Sequence, residues 1–211
     1  MAFPACGTDA PQQIADASVW INLVATGRLA EVLEALSAPI AIAEVALQEL
    51  ERGRTNGHDA YAQISPLVRS GRVEALPISL ADEALYLGLV AGGTADTLDD
   101  GEAATLVLAA GLSAVALIDE RKATTLAKRR FPLLEVRSTT DLLFETLPYE
   151  GGNVGPLAEA LFAALQRARM RVPHHWQARV VEVLGLERTR LCRSLPAHLR
   201  MEGPLASLQS L

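Results

Sequence analysis

Short apolar runs alternate with longer stretches of helical periodicity along most of the chain. Gln13–Ala15 is a compact run closed by Asp16, after which Val19, Trp20, Leu23 and Val24 recur at helical spacing as far as Gly27. A helix is predicted over Arg28–Leu36, a strand over Ile40–Ala43, and a helix over Glu44–Arg52 that Gly53 stops. Asp59–Ser70 reads as a helix ended by Gly71, Val73–Leu76 as a short strand, and Leu80–Val90 as a helix before Gly92-Gly93. The helix Gly101–Ala110 leads through Gly111 to Ala114–Ile118, which has the apolar density of a central strand buried on both faces. Arg121–Arg130, Leu134–Val136 and Thr139–Thr146 continue as helix, strand and helix. Beyond Gly151-Gly152, helices are expected over Pro156–Arg169 and Pro173–Leu184.

Strands alternating with helices imply βαβ units, and therefore an α/β fold with a mostly parallel sheet covered on both faces. The pattern divides into a main domain over residues 1–150, a helical hairpin over 151–186 and a basic, polar tail over 187–211. Leu157, Leu161 and Leu165 on one hairpin helix and Val180, Val183 and Leu184 on the other lie at helical spacing. They suit either packing back on the domain or a partner surface that Leu186, Leu191 and Leu195 would extend.

In such sheets the chemistry gathers at the carboxyl ends of the strands, and this chain places its acids there. Asp16 follows the first strand, Glu44 and Glu49 lie on the helix after the second, and Asp99, Asp100 and Glu102 open the helix before the central strand. Asp119 and Glu120 follow that strand directly. Each has a plainer use: an aspartate caps a helix start, and a glutamate in a first turn favours the helix dipole. Convergence of four segments is the stronger signal, because clustered carboxylates repel one another unless a cation lies between them. Hard oxygen donors of this kind suit Mg²⁺ or Mn²⁺, which stabilise displacement at phosphorus and activate a water.

Charge adds an asymmetry. Residues 1–120 hold 5 Lys/Arg against 17 Asp/Glu and residues 121–211 hold 14 against 8, within a net charge of −6. An acidic site beside a basic flank fits this split. Arg121, Lys122, Lys128 and Arg129 share one helix face through a spacing of seven and are candidate phosphate contacts, although a solvated face has the same pattern. Cys6 and Cys192 lie far apart with no metal-ligand spacing, which fits a reducing, cytoplasmic setting. Met1–Thr8 lacks the basic start of a secretory signal, and the charge-free run Ala103–Ile118 falls short of a membrane span. His174-His175 opens a helix without a spaced ligand partner, Trp20 and Trp176 read as core, and Gly92-Gly93 lacks the spacing of a dinucleotide loop.

Four segments together resemble the PIN-domain family of metal-dependent nucleases, the group that contains VapC toxins. Asp16-Ala17-Ser18-Val19-Trp20-Ile21 is similar to its opening D-x-S-x-x-I, and Glu49-Leu50 with Gly53 to its E-L-x-x-G. Asp100-Gly101-Glu102-Ala103-Ala104 is like a G-E-x-x-A variant of the third acidic motif, and Leu117 to Ala123 like L-x-D-D-R-x-A. The order and spacing hold over about residues 13–147, and the two later helices look like the C-terminal hairpin of an uncharacterised PIN-like subgroup using the G-E variant. The resemblance implies a three-layer α/β/α sandwich with a parallel sheet of four or five strands, and cleavage of single-stranded RNA leaving a 3′-hydroxyl. It implies Asp16, Glu49, Glu102 and Asp119 as the acidic set, with Ser18 supporting Asp16. Ile118 stands where many relatives carry Thr or Ser, so Asp119 and Glu120 both remain candidates for the last position, as do Glu44 beside Glu49 and Asp100 beside Glu102. The implied partners are RNA, a cognate antitoxin and a second copy of the chain; the alternative is a catalytically weak binding module acting through a protein partner.

Overall fold

The computed structural model describes residues 12–53, 59–91, 97–149 and 155–202. Cys6, Gly92-Gly93, Gly151-Gly152 and residues 203–211 of the tail lie outside the described residues.

Five short strands form one parallel sheet: β1 Gln13–Ala15, β2 Ile40–Ala43, β3 Glu74–Leu76, β4 Val115–Leu117 and β5 Val136–Arg137. Their spatial order is β3-β2-β1-β4-β5. The chain therefore builds outward from β1 to β3, returns to the other side of β1, and builds outward again. Ala15 pairs with both Ile42 and Leu117, so β1 and β4 end side by side at the point where the order reverses. Asp16 N–H extends that pairing by donating to Leu117 O at 3.1 Å. Every residue of β1, β2 and β4 is buried, as expected for strands covered on both faces.

The sheet is sandwiched by α1 Ala17–Ala25, α2 Leu29–Ala35, α3 Glu44–Gly53, α4 Ala60–Arg69, α5 Glu83–Val90, α6 Asp100–Gly111, α7 Arg121–Arg130 and α8 Thr139–Thr146. Helix α6 packs on β1, β2 and β4 as well as on α3 and α5, and is buried throughout 101–109. Its Ala103, Ala104 and Ala109 allow close approach from several sides. The helix α5 starts at Glu83 rather than Leu80, because Ser79 and Asp82 close a turn on each other through side chain and backbone. β5 starts two residues later than its apolar run, after a turn in which Leu134 N–H donates to Phe131 O.

The last third of the described chain is not a separate layer of loose helices. α9 Pro156–Arg167 packs on α1 and α8, and α10 His174–Leu191 packs on α9. Trp176 stacks on Phe144 of α8 with ring centroids 4.3 Å apart, and its Nε1 donates to Asp141 at 2.7 Å. Arg28, the residue before α2, pairs with Glu159 of α9 at 2.7 Å. The first helical stretch of α10 ends at Leu184 as expected, Gly185 takes a non-helical φ of 70° that glycine adopts at little cost, and a second stretch runs on to Leu191. α11 Ala197–Glu202 then folds back on α10. Thr189, Cys192, Leu195 and Leu199 are buried, while Leu186 and Leu191 are exposed, so the leucines do not form one continuous exposed stripe. Among the described residues no helix is long and apolar enough to cross a membrane.

Leu195 carries the attachment of this last stretch, at 2% exposure. Leu195→Ala is expected to cost about 2–5 kcal/mol by loss of buried surface and creation of a cavity, read as a lower urea midpoint. Deleting residues 187–211 should cost more. An unchanged midpoint in both would show that the tail is no part of the core.

Candidate active site

The switch between β1 and β4 opens into a cleft of about 500 Å³. Six carboxylates line it: Asp16, Glu49, Asp99, Glu102, Asp119 and Glu120. Four separate pieces of chain bring them there, because strand ends and helix starts meet at this edge of the sheet.

Asp16 caps α1, and its Oδ2 accepts from Ser18 N at 3.2 Å and Ser18 Oγ at 2.7 Å. Ser18 thus fixes one oxygen and leaves Oδ1 directed toward Gly101. Glu49, in the middle of α3, accepts from Gly101 N at 2.9 Å through Oε1, which ties α3 to the start of α6. A Cβ on Gly101 would lie 2.4 Å from Glu49 Oε2 and 3.1 Å from Asp16 Oδ1. These two oxygens therefore converge on one spot, and only glycine leaves it open. Glu102 forms a capping box with Asp99, accepting from Asp99 N at 3.4 Å.

Asp119 is anchored from three directions. Thr139 N donates to Oδ1 at 2.8 Å; Asn22 Nδ2 donates to Oδ2 at 2.7 Å, as does the Thr139 hydroxyl. A carboxylate offers about four lone-pair sites, so one on Oδ1 stays available. Arg171 Nη1 donates to the Asp119 carbonyl at 2.7 Å and locks the strand end from outside. Glu120 is an exposed cap on α7 that accepts from Lys122 N at 3.3 Å.

The structure separates the alternatives that the sequence leaves open. Glu49 lines the cleft, whereas Glu44 is exposed at the start of α3 and does not. Glu102 lines it; Asp100 instead bonds Tyr86, whose phenol is pushed up by burial and then by that carboxylate. Asp119 and Glu120 both reach it, the first buried and the second exposed. Of the basic candidates, Arg121 and Lys122 stand at the cleft end of α7. Lys128 and Arg129 lie about 10 Å further along the helix at 1.5 Å per residue, toward the opposite edge of the sheet. Asn22 and Thr139 were invisible as site residues, since neither belongs to an acidic motif. Arg169 and Arg171, in the turn between α9 and α10, also line the cleft. Their only sequence signal is the run Arg167-Ala168-Arg169-Met170-Arg171 between two helices.

Burial, with mutual repulsion added, raises the proton affinity of Asp16, Glu49, Glu102 and Asp119. Burial, followed by the charge of Asp16, pushes Glu102 up to about 7. Burial raises Asp16 against the pull of its Ser18 bonds, and raises Glu49 against its Gly101 bond, with Asp16 adding to the effect. Asp119 is also raised by burial, opposed by Thr139 and Asn22. A divalent cation would relieve all four at once. Among the described residues no three acidic, histidine or cysteine side chains already close around one ion. Mg²⁺ commonly takes only one or two carboxylates and keeps its waters. The converging oxygens of Asp16 and Glu49, with Glu102 and the free lone pair of Asp119 nearby, fit such an ion.

A family model described as a PIN domain matches residues 12–185. The chain is a member of the PIN-domain family. No curated protein and no solved structure matches it. The matched stretch of this PIN-domain protein includes the cleft, its acids and the hairpin that supplies Arg169 and Arg171. PIN domains are in general nucleases, so a cleft lined with carboxylates at the switch point is where hydrolysis of a phosphodiester belongs.

One outcome concerns the metal-free protein and a second its affinity for metal. Glu102 binds its proton more tightly when folded than when unfolded, so the native state holds more protons between pH 4.5 and about 7. Stability in chelator should therefore fall as pH rises through that window, and Glu102→Gln should flatten the fall; a parent whose unfolding midpoint rises over the same range would contradict the placement. Gly101→Ala should leave the fold intact by displacing the flexible Glu49 carboxylate, and should weaken Mn²⁺ affinity in calorimetry by about 10–100-fold, the range for disturbing what orients a ligand.

Proposed function

We propose that this PIN-domain protein is a Mg²⁺- or Mn²⁺-dependent endoribonuclease acting on single-stranded RNA, as the toxin of a toxin–antitoxin pair. The observation that carries the hydrolytic reading is the convergence of Asp16, Glu49, Glu102 and Asp119 on one cleft with two arginines on its wall. The RNA and toxin assignments rest on the resemblance of the four acidic motifs to VapC-type sequences. A cytoplasmic location suits a chain in which Cys192 is a buried, free thiol. A cognate antitoxin and a second copy of the chain are the proposed protein partners.

A bound divalent ion would supply a water of lowered pKa and neutralise charge developing on the phosphate. The protein's own groups do the rest. Ser18 holds Asp16, and Gly101 N–H holds Glu49, so their free oxygens face the same point. Thr139 and Asn22 keep Asp119 from turning away. Glu102, with its proton affinity near neutrality, is placed to accept a proton from an attacking water. Attack on phosphorus with loss of the 3′-oxygen leaves a 3′-hydroxyl and a 5′-phosphate. Arg169 and Arg171 offset the repulsion between an acidic cleft and a polyanion.

One observation favours the second reading, a catalytically weak module that works through a protein partner: three of the four lone-pair sites of Asp119 are already taken by Thr139 and Asn22. The readings separate cleanly. Purified protein should cut a single-stranded oligoribonucleotide in Mn²⁺ and lose the activity in Asp16→Asn. Its thermal midpoint should rise with Mn²⁺, by the equivalent of about 2.7 kcal/mol at a hundredfold excess over Kd, and rise much less in Asp119→Ala. A parent indifferent to millimolar Mn²⁺ in both assays sinks the nuclease reading and leaves the module.

A further inference from the structure

Arg171 belongs to two clefts. On one side it forms part of the wall of the acidic chamber; on the other it lines a second cleft of about 580 Å³ with Arg121, Val172, His174, Gln177, Ser194, Leu195 and Pro196. Among the described residues no carboxylate lines this second cleft, although acids outnumber Lys and Arg in the chain by 25 to 19. It is assembled from α7, the α9–α10 turn, the start of α10 and the Ser194–Pro196 segment that leads into α11. The fold thus places an acid-free, arginine-flanked hollow immediately beside a crowded acidic one. Its volume lies in the range that takes a small ligand or one nucleotide.

Two features give the turn a fixed shape. Arg169 sits at φ 54°, a left-handed conformation that non-glycine residues adopt at a cost, and Met170 N–H donates to Ala164 O at 3.2 Å to close α9. Arg171 is held by the Asp119 carbonyl through Nη1. That bond links the position of the arginine to the strand end that carries the acid. Arg169 makes no hydrogen bond or ion pair among the described residues, and its side chain lines the acidic chamber.

We infer that the second cleft is a subsite for the nucleotide next to the scissile phosphate of a single-stranded RNA. The strand crosses Arg171 between the chambers, with Arg171 and Arg121 meeting the flanking phosphate and Val172, Leu195 and Pro196 giving the sugar and base an apolar floor. Among the described residues no Phe, Tyr or Trp lines the cleft, and its one aromatic ring is the imidazole of His174. Retention therefore rests mainly on phosphate contacts, with His174 the one ring on which a base can stack, and tolerates any base. The tail beyond Gly185 is then part of the substrate site, because Ser194, Leu195 and Pro196 form one side of it. The inference rests on the ribonuclease reading above.

The test is binding of a fluorescently labelled, non-self-pairing oligoribonucleotide to the full chain in chelator, followed by anisotropy across a salt series. The slope of log affinity against log salt reports the phosphates neutralised, at about 0.7 per contact for a single strand. Arg121→Ala and Arg171→Ala are each expected to lower the slope by about one such contact and to weaken binding at low salt about tenfold. Lys128→Ala, at the far end of α7, should keep the parent slope. Since Arg171 also braces Asp119, unfolding midpoints are compared for each variant, and Arg121→Ala decides the matter if Arg171→Ala is destabilised. Parent slopes in Arg121→Ala overturn the subsite, as does an equal loss in Lys128→Ala, which would mean diffuse attraction. A parent that cuts RNA while these slopes stay unchanged refutes the subsite alone; a parent that neither binds nor cuts RNA refutes the ribonuclease reading with it.

Discussion

Repulsion among buried carboxylates is the constraint around which this molecule is arranged. Asp16, Glu49, Glu102 and Asp119 would each be more stable apart and in water, and burial raises the proton affinity of all four. The surrounding structure holds them together by giving each a fixed donor. Ser18 serves Asp16, the backbone of Gly101 serves Glu49, the backbone of Asp99 serves Glu102, and Asn22 with Thr139 serves Asp119. Several of these donors sit at helix starts, where unpaired N–H groups are available in any case.

The sheet order explains why the acids meet at all. β1 and β4 are neighbours although about a hundred residues separate them, and the reversal between them brings the ends of both strands to one edge. Helix α6, packed against three strands and three helices, aims its first turn at the same edge. Gly101 is the tightest point of that arrangement, since any side chain there would displace Glu49 and crowd Asp16. Small residues along α6 serve the same end by letting the helix lie close to the sheet.

The C-terminal hairpin changes the character of the site. Without it the described lining of the cleft would hold six carboxylates and no cation. The α9–α10 turn adds Arg169 and Arg171, and the fold of the last turns onto α10 adds a neighbouring chamber free of acids. The basic balance of the second half of the chain is therefore local in effect: only a few of its cations stand at the cleft, while Lys128 and Arg129 lie toward the far end of α7.

The order of elements, the buried parallel strands and the four acidic motifs were legible in the amino-acid pattern, because each is a local property. Periodicity reports which face a residue turns to the core, and an acid directly after a strand must lie at the carboxyl edge of a parallel sheet. Local signals could not choose between Glu44 and Glu49 or between Asp100 and Glu102, since both members of each pair share one helix. Packing chose: α3 and α6 approach at Glu49 and Gly101, while Asp100 turns to Tyr86. Asn22 and Thr139 carried no readable sign, and Arg169 and Arg171 only a basic run between two helices, because each acts on Asp119 or its cleft across at least 20 residues of chain. Gly185 ends a helix as its local signal says; what the pattern did not show is the further helical stretch to Leu191, which burial of Thr189, Cys192 and Leu195 holds against the fold. Side chains distant in sequence become partners only when the sheet order and the hairpin have brought their elements together, and that closing of distance is a property of the whole fold.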